Sequence, residues 1–538
     1  MTALSLFIFL TMLFILGMAV DLMRYETRRT ALQNSLDSAV LAASNLNIGS
    51  ECETVIRDFI ESAGFDPTVV APTCNEEVLS QGVSSTPGNL VSRSTTASYD
   101  FDLNTIFMKL VGYDKLNGLA ASAAEQRATP VEISLVLDIS GSMRFDEFGA
   151  TPSVITGENR INDLRDAVDG FLRKVLDVTC DQSGNNCVQS PSSAHITVNI
   201  VPYAGHVNPG PELFALMGGL PWHSWSHCVE VTDADFNTAN LPSSSGLQVP
   251  HKMRWLISDL WMNWGWCPKD TSAIMPMENN YQTLSDYVRN IRLHDGTATH
   301  IGMKYGVALL NPTSRDEIAA LASAGVVEKA FAARPADWDS EAMKIVVLMT
   351  DGKTTSQFRP KYLDPDWQDW TYTIIENGRP VFETLKTKVA QGMTPEDAVA
   401  ELSDQDRAHW EAMAPILDQY GSTGSDFLPN DPAAVESFYP PASLYVDGST
   451  THDAAVNNGH ITAMCNEAKK PVLADDGSLV RSDRITVFTI AFLAPKSARD
   501  LMAECASTPA HFYNIEGLNI SRAFNSIASS IETLRLTQ

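Results

Sequence analysis

The stretch EISLVLDISGSM, from Glu132 to Met143, decides the fold of this chain. Its first half is a short apolar run of the kind that is buried in the middle of a parallel β-sheet. Its second half places Asp138, Ser140 and Ser142 at the end of the strand in a D-x-S-x-S pattern. Ligands of open α/β sheets bind at the carboxyl ends of the strands, so we expect these three side chains to converge on one point.

The sequence after this stretch alternates between strand and helix patterns. In chain order these are a helical face from Ile161 to Val175, an alternating strand at Ile196, Val198 and Ile200, the strands KIVVLMTD (Lys344 to Asp351) and DRITVFTIAF (Asp483 to Phe492), and a closing helical stripe of Ile520, Phe524, Ile527, Ile531 and Leu534. Repeated strand and helix units predict an α/β fold with a doubly wound, mostly parallel sheet.

Two later segments can add oxygen ligands to the first three. One is GTATHIG, from Gly296 to Gly302, and the other is Asp351 at the end of a strand. Mg²⁺ takes hard oxygen ligands and only a few carboxylates from a protein, so hydroxyls beside one or two aspartates suit it. The pattern predicts a Mg²⁺ site, with Mn²⁺ or Ca²⁺ as alternatives.

Together these three segments resemble the metal-ion-dependent adhesion site of von Willebrand factor A domains, a Rossmann-like fold. The resemblance implies direct coordination by Ser140, Ser142 and Thr297, with Asp138 and Asp351 close by, directly or through water. Thr297 is preferred over Thr299 because its distance to Gly302 fits the family pattern. The resemblance also implies that a carboxylate from a protein partner completes the coordination of the ion.

Two stretches, about 204–280 and about 356–455, interrupt the alternation and are predicted to be insertions. The first contains six of the ten tryptophans: Trp222, Trp225, Trp255, Trp261, Trp264 and Trp266. Such a segment must pack a small core of its own or expose an adhesive surface.

The N-terminal part of the chain has the pattern of a membrane helix and not of alternating strands and helices. Residues 3–20 carry no charge and are long enough to cross a bilayer as one helix. Residues 22–46 continue with Leu32, Leu36, Val40 and Leu41 at helical spacing, which predicts an amphipathic stalk. We therefore predict an uncleaved anchor and stalk over 1–46, with a cleaved signal peptide as the alternative. A small, mixed or β spacer follows over 47–130, and the domain with the insertions occupies 131–538.

The eight cysteines contain no CxxC pair, so disulfides in an oxidising compartment are the better interpretation. Proximity along the chain suggests the pairs Cys52–Cys74, Cys180–Cys187, Cys228–Cys267 and Cys465–Cys505, one of roughly a hundred possible connectivities. Arg24, Arg28 and Arg29 follow the apolar stretch, and the positive-inside rule alone would keep the large domain in the cytoplasm. The cysteines favour the opposite side.

A second resemblance covers the two ends of the chain. The segment from Gly17 to Ser44 and the tail from Leu534 to Gln538 are similar to TadG-type proteins of Tad/Flp pilus assembly, with a TadE/TadG-like N-terminus. The resemblance implies a single-pass protein of the bacterial inner membrane, with its large domain in the periplasm or facing the cell surface. It implies pilus or envelope components as partners, in pilus assembly or anchoring. Basic residues that usually precede the membrane helix of this family are missing here.

Several other functions are excluded or disfavoured. A net charge of -27 argues against nucleic acid as a partner. Gly352-Lys353-Thr354 lacks the earlier glycine of a phosphate-binding loop. His223, His227, Cys228 and Cys267 are more typical of packing beside a disulfide than of a zinc site, and Asp364, Asp366 and Asp369 lack the rest of an EF-hand.

No catalytic motif stands out either, so we predict a binding protein and not an enzyme. Two alternatives stay open. One is a surface adhesin that works without pili through its tryptophan-rich insertion. The other is an A-domain subunit that partners an enzyme complex, which a cytoplasmic location would favour.

Overall fold

The structure is a computed structural model of the whole chain. It describes residues 2–537 with the exception of 47, 50, 79–89, 128, 155–156, 182–185, 191–192, 220–225, 243–247, 250–260, 263–266, 358–380, 382–383, 386, 389–390, 412–452 and 475. The chain divides into two compact units. One is Met1–Pro130 with Ser190–His195, and the other is Val131–Gln189 with Ile196–Gln538.

The first unit is built on one long helix, α1 (Thr2–Ala43). Among the described residues, α1 is long and apolar enough to cross a membrane. The apolar side chains of its first half are exposed, as for Phe7 and Leu16 at 65% and 67%. In its second half Leu32, Leu36 and Val40 are buried as the predicted stripe requires, whereas Leu41 is 68% exposed and lies off that stripe.

The second half of α1 packs on helix α2 (Cys52–Ser62) and on an antiparallel sheet of three strands. The strands are β1 (Ala71–Val78), β2 (Leu90–Asn104) and β3 (Lys115–Arg127), in the order β1-β2-β3. The shared core contains Ile56 and Ile60 from α2 and Tyr99 and Phe101 from β2. Stalk and spacer, which the sequence separated at residue 46, therefore belong to one compact unit.

The second unit contains a mixed sheet of six strands. They are β4 (Val131–Asp138), β7 (Ile196–Tyr203), β8 (Met275–Glu278), β9 (Met343–Thr350), β12 (Thr486–Phe492) and β13 (Phe512–Ile515), in the order β13-β12-β9-β4-β7-β8. The pairs among the first five strands of this order are parallel, and β8 pairs antiparallel with β7 at the edge. Short ribbons β5 (Val178–Cys180) with β6 (Cys187–Gln189) and β10 (Val472–Leu473) with β11 (Leu479–Arg481) lie apart from this sheet.

Both faces of the sheet are covered because successive side chains of a strand point to opposite sides. In β9, Ile345 and Val347 belong to one core and Val346 and Leu348 to the other. The first core is completed by helices α3 (Arg160–Val175), α5 (Tyr281–Asn290) and α11 (Ser521–Thr537), and the second by α6 (Thr299–Ala308), α7 (Arg315–Ala324), α9 (Ala454–Ala468) and α10 (Lys496–Cys505). The expected N-terminal apolar helix and a sheet layered with helices are both present.

Helix α6 lies unusually close to the sheet. A Cβ built on Gly302 would be 2.6 Å from the ring of Tyr203, and one on Gly306 would be 2.4 Å from Val136. Only glycine allows such an approach of helix backbone to strand side chains. The two glycines thus position the loop before α6, which contains Thr297, at the carboxyl end of the sheet.

The first predicted insertion is partly integrated into the main domain. Strand β8 within it joins the main sheet, and helix α4 (Pro211–Leu216) buries Leu213 and Phe214 in the same core as Val136. Trp261 is 4% exposed and its indole donates to the Pro152 carbonyl at 2.9 Å. The other five tryptophans lie outside the described residues, as does most of the second insertion, where helix α8 (Pro395–Ala400) is described.

All four disulfides join the cysteines that proximity along the chain had suggested. The pairing Cys228–Cys267 removes the zinc alternative, since a disulfide sulfur is not a thiolate ligand. The nearby ring of His227 contacts Asp270 at 2.8 Å instead. His223 and the acidic cluster of Asp364, Asp366 and Asp369 lie outside the described residues.

Candidate metal centre

Two aspartates stand side by side at the carboxyl end of the main sheet. Asp138 is the last residue of β4 and Asp351 follows β9, and parallel pairing of these strands brings their ends together. Both are buried, with exposures of 0% and 2%. The Asp138 carboxylate turns the chain after its strand by accepting from the Ser140 N–H at 2.9 Å. This turn aims the following side chains back over the strand ends.

Two serine hydroxyls connect the aspartates. The Oγ atoms of Ser140 and Ser142 are 3.0 Å apart, and Ser142 donates to Asp351 Oδ1 at 2.6 Å. Four of the five residues that the sequence proposed as ligands therefore belong to one hydrogen-bonded cluster. They come from two strands that are separated by about two hundred residues of chain.

The fifth residue, Thr297, lies on the adjoining loop. A parallel bridge between Ser140 and His294 brings this loop to the serines, with the His294 N–H donating to the Ile139 carbonyl at 2.8 Å. The backbone of Thr297 is held on its other side by Thr355. Within the part of the chain that the structure describes, no hydrogen bond joins the Thr297 hydroxyl to the cluster.

The alternative residue, Thr299, has a different partner. Its hydroxyl donates to the Tyr203 hydroxyl at 3.4 Å, and Tyr203 in turn lies 3.3 Å from Asp138 Oδ2. Thr299 is thus part of the buried support beneath Asp138. The preference for Thr297 over Thr299 as a ligand stays a prediction.

Sequence reasoning missed three residues that support the aspartates. Thr350 donates to Asp138 Oδ2 at 2.8 Å, and Tyr203 approaches the same oxygen. Arg160, the first residue of α3, forms an ion pair with Asp351 Oδ2 at 2.8 Å. Thr350 was visible in the quoted strand, and its position next to Asp351 was a usable signal. The sequence contains no such signal for Arg160, because Arg160 lies far from Asp351 along the chain.

Burial dominates the electrostatics of the two carboxyls. It raises the pKa of Asp138 to about 7, with the nearby charge of Asp351 as a second cause. Burial likewise raises the pKa of Asp351, although the Ser142 hydroxyl and the Arg160 guanidinium oppose the shift. Two negative charges held this close in a dry site disfavour each other, and a cation between them would relieve both.

The donor set fits a small, hard divalent cation. It consists of two carboxylates and the hydroxyls of Ser140, Ser142 and Thr297, all oxygen. Among the described residues, no group of three or more His, Cys, Asp or Glu side chains gathers as metal ligands. A soft or nitrogen-preferring ion such as Zn²⁺ therefore has no comparable site in the described part of the chain.

A cavity of about 210 Å³ adjoins the cluster at the residues that flank Asp351. Its walls are mostly hydroxyl-bearing and small apolar side chains, with one lysine. They come from Thr299, Thr350, Gly352, Lys353, Thr354, Ala454, Asn458, Ser497, Ala498, Leu501 and Met502. Neither aspartate lines this cavity, so the cavity lies next to the cluster and not at it.

Comparison with known proteins ties the N-terminus to a family. Residues 1–45 match the sequence model of the family described as "Putative Flp pilus-assembly TadE/G-like". This match covers the whole of α1, both its apolar first half and its buried second half, and does not reach the six-stranded sheet. No curated protein matches the chain.

Solved structures with some similarity come from bacterial pili. The pilus adhesin SpaC from Lactobacillus rhamnosus GG is 12% identical with a TM-score of 0.30, over 86% of this chain and 34% of its own, so this chain spans about a third of its length. The vWF domain of the type V pili tip protein Mfa5 from Porphyromonas gingivalis is 14% identical with a TM-score of 0.30, over 76% and 97%. The PilB minor pilin from Streptococcus sanguinis is 13% identical with a TM-score of 0.31, over 86% and 78%. TM-scores this low do not define a fold, so the fold is described from the chain's own order of strands.

Proposed function

We propose that this chain is a membrane-anchored, metal-dependent protein-binding protein of the TadG type that acts in the assembly or anchoring of Flp pili. The observation that carries the proposal is the cluster of Asp138, Ser140, Ser142 and Asp351 at the ends of β4 and β9. The family match of residues 1–45 supports the pilus context.

We assign the second unit to the von Willebrand factor A type, a doubly wound and mostly parallel sheet. Support comes from the central position of β4, the parallel run of five strands and the helices on both faces. In such a sheet the crevice at the carboxyl ends is the natural ligand site, and the cluster lies there. The domain would span residues 131–538 with both insertions.

In this proposal Ser140, Ser142 and Thr297 hold a Mg²⁺ ion directly, with Mn²⁺ or Ca²⁺ as substitutes. Asp138 and Asp351 lie close to the ion, directly or through water. When bound, the ion supplies an electrophilic position that a partner's carboxylate can occupy. Arg160 offsets the charge of Asp351, so the protein's ligands do not neutralise the ion fully and its attraction for an acidic partner is kept.

The proposed location is the bacterial inner membrane, with α1 as a single-pass anchor and the large unit in the periplasm or facing the cell surface. Four disulfides support an oxidising compartment. The partners would be pilus or envelope proteins with an accessible Asp or Glu, and the protein would bind them without catalysing a reaction.

Calorimetry of Mg²⁺ and Mn²⁺ binding tests the metal site. The full chain in detergent is the right material, because cutting at residue 47 would remove Leu32 and Leu36 from the core of the first unit. Asp138→Ala and Ser140→Ala are expected to abolish binding. Ser134→Ala is the matched control, since Ser134 is also a buried serine near β4's centre, where it accepts a hydrogen bond from Asn199.

Binding in the wild type and in Ser134→Ala, together with its loss in both site variants, supports the proposal. Equal binding in all four proteins refutes the site. The pilus role is tested in cells by counting pili on a strain that carries only Asp138→Ala. Normal piliation with a correctly located variant would refute a metal-dependent role in pilus assembly.

A further inference from the structure

An exposed apolar turn projects from the sheet of the first unit. The hairpin tip, Thr105–Asp114, connects β2 to β3. Large apolar side chains on it face solvent, at exposures of 57% for Ile106, 77% for Leu110, 50% for Val111 and 62% for Tyr113. Clustered exposure of this kind marks a contact surface.

The hairpin tip is fixed to helix α1 by a backbone clamp. The carboxylate of Asp21 is fully buried and accepts hydrogen bonds from three consecutive N–H groups, those of Ile106, Phe107 and Met108, with shortest distances of 3.0, 2.7 and 2.8 Å. Charge-assisted bonds to three backbone donors hold the turn firmly. The tip therefore has a defined height along α1.

A close packing contact between the hairpin tip and α1 is a second constraint on the position of the tip along the helix. A Cβ built on Gly17 would lie 2.5 Å from the ring of Phe107, so only glycine at this position lets the ring lie on the helix. Gly17 belongs to the uncharged stretch, and Asp21 is the first charged residue after it. At 1.5 Å per residue, Gly17 lies about 6 Å inside the end of the apolar segment.

The height matches the boundary of a bilayer that α1 would cross. A group level with the last turn of an apolar helix is at the membrane interface, where apolar side chains sink in and tyrosine is favoured. Lys109 and Asp114 on the same turn are 69% and 75% exposed and form an ion pair at 3.9 Å, which suits the headgroup layer.

We propose that the hairpin tip is a second membrane contact, which inserts Ile106, Leu110 and Val111 into the interface beside α1. The proposal rests on the membrane anchoring proposed above. Its occupant is the lipid bilayer, because Phe107 of the tip packs on Gly17 within the exposed apolar stretch of α1, where Leu16 is 67% exposed. A helix and a turn joined rigidly at one depth would set the orientation of the first unit on the membrane.

Site-specific fluorescence in vesicles tests the depth of the tip. All eight native cysteines are in disulfides, so an introduced cysteine is the single thiol for labelling. The full chain is reconstituted in vesicles of phosphatidylcholine and phosphatidylglycerol with an environment-sensitive probe at Leu110→Cys. Leu119→Cys on β3 is the matched control, since Leu119 is 56% exposed and lies outside the hairpin tip. A probe at Leu13→Cys in α1 reports whether the helix lies in the bilayer.

Quenching by a nitroxide near the headgroup end of the acyl chains is compared with quenching by aqueous iodide. We expect the probe at position 110 to be quenched by the lipid nitroxide about threefold more than the probe at 119, and to be shielded from iodide. Equal iodide quenching at 110 and 119, with position 13 in the lipid, overturns the tip contact alone and leaves the surface to a protein partner. An accessible probe at position 13 overturns the anchor and the tip contact together.

A second variant tests the packing that sets the height. Gly17→Ala is expected to push Phe107 off the helix and to raise iodide quenching of the probe at position 110. Iodide quenching of the probe at position 13 should not change. An unchanged probe at 110 would show that the contact with Gly17 does not place the tip.

Discussion

Removing one partner of a buried ion pair at the amino end of the main sheet is predicted to destabilise the sheet strongly. Glu132 on β4 and Lys344 on β9 are both completely buried, with Lys344 Nζ 2.5 Å from Glu132 Oε2. Glu132 also accepts from the Ala336 N–H at 2.8 Å, and Lys344 donates to the Leu310 carbonyl at 2.9 Å. Each charge is therefore compensated by the other and by backbone.

Lys344→Met keeps the approximate length of the side chain and removes its charge. Glu132 would then be buried with the Ala336 N–H and with Arg334, whose guanidinium is 3.9 Å away. Removing one partner of a buried pair costs about 3–5 kcal/mol, because the other charge stays in a dry site. The double variant Glu132→Gln/Lys344→Met removes both charges and should recover most of that loss.

Hydrogen exchange followed by mass spectrometry is the suitable assay, since a chain with two units need not unfold in one step. A loss of about 4 kcal/mol corresponds to roughly a thousandfold faster exchange of the protected amides of β4 and β9. Mg²⁺ binding is the internal control: six residues of strand, about 20 Å, separate Glu132 from Asp138, so affinity should not change.

Two results would contradict this prediction: exchange that Lys344→Met accelerates by less than about tenfold, or a double variant whose loss of stability equals the sum of the losses in the two single variants. The first result would mean that the pair is hydrated in solution. The second would mean that the two charges do not interact.

Three further predictions concern an ion pair of the candidate site, a buried lysine and a disulfide. Arg160→Met should tighten Mg²⁺ binding about tenfold in calorimetry, because it removes a cation that competes for Asp351. Burial lowers the pKa of Lys304 to about 8, so the folded state releases this proton before the unfolded chain does, and stability should rise from pH 8 upward. Between pH 7 and 9 the unfolding free energy should increase by about 1 kcal/mol more in the wild type than in Lys304→Met. Replacing Cys465 and Cys505 by serine opens a link with a sequence separation of 40 and should cost about 4 kcal/mol, measured from exchange in α9 and α10.

Each of these has a contrary outcome. Weaker Mg²⁺ binding by Arg160→Met would mean that the guanidinium organises the site and does not compete with the ion. If the unfolding free energy of Lys304→Met changes with pH as that of the wild type does, Lys304 stays charged in the folded state. The carbonyls of Asp235 and Thr238, which accept hydrogen bonds from it, would then stabilise its charge. Unchanged exchange in α9 and α10 would assign no stabilising role to the Cys465–Cys505 link.

Features that depend on short-range patterns could be predicted from the amino-acid sequence. The apolar run before Asp138 predicted a buried strand, and the structure has β4 there. The same holds for β9 and β12, and for the closing apolar stripe, of which Ile520, Phe524, Ile527 and Ile531 are buried. Proximity along the chain also predicted the four disulfides, since a short loop closes at a small entropic cost. That Ser140, Ser142, Thr297 and the two aspartates bind a metal stays a prediction from motif and spacing.

Only the folded chain shows the distant contacts that no motif marked. The antiparallel edge strand β8 arose inside a segment that the sequence treated as an insertion, because its four residues are too few for a recognisable pattern. Arg160 pairs with Asp351 across 191 positions, and Asp21 binds the hairpin tip across more than eighty. Such contacts depend on the packing of whole helices and strands, which no local periodicity records, and they set both the charge of the candidate site and the height of the tip on α1.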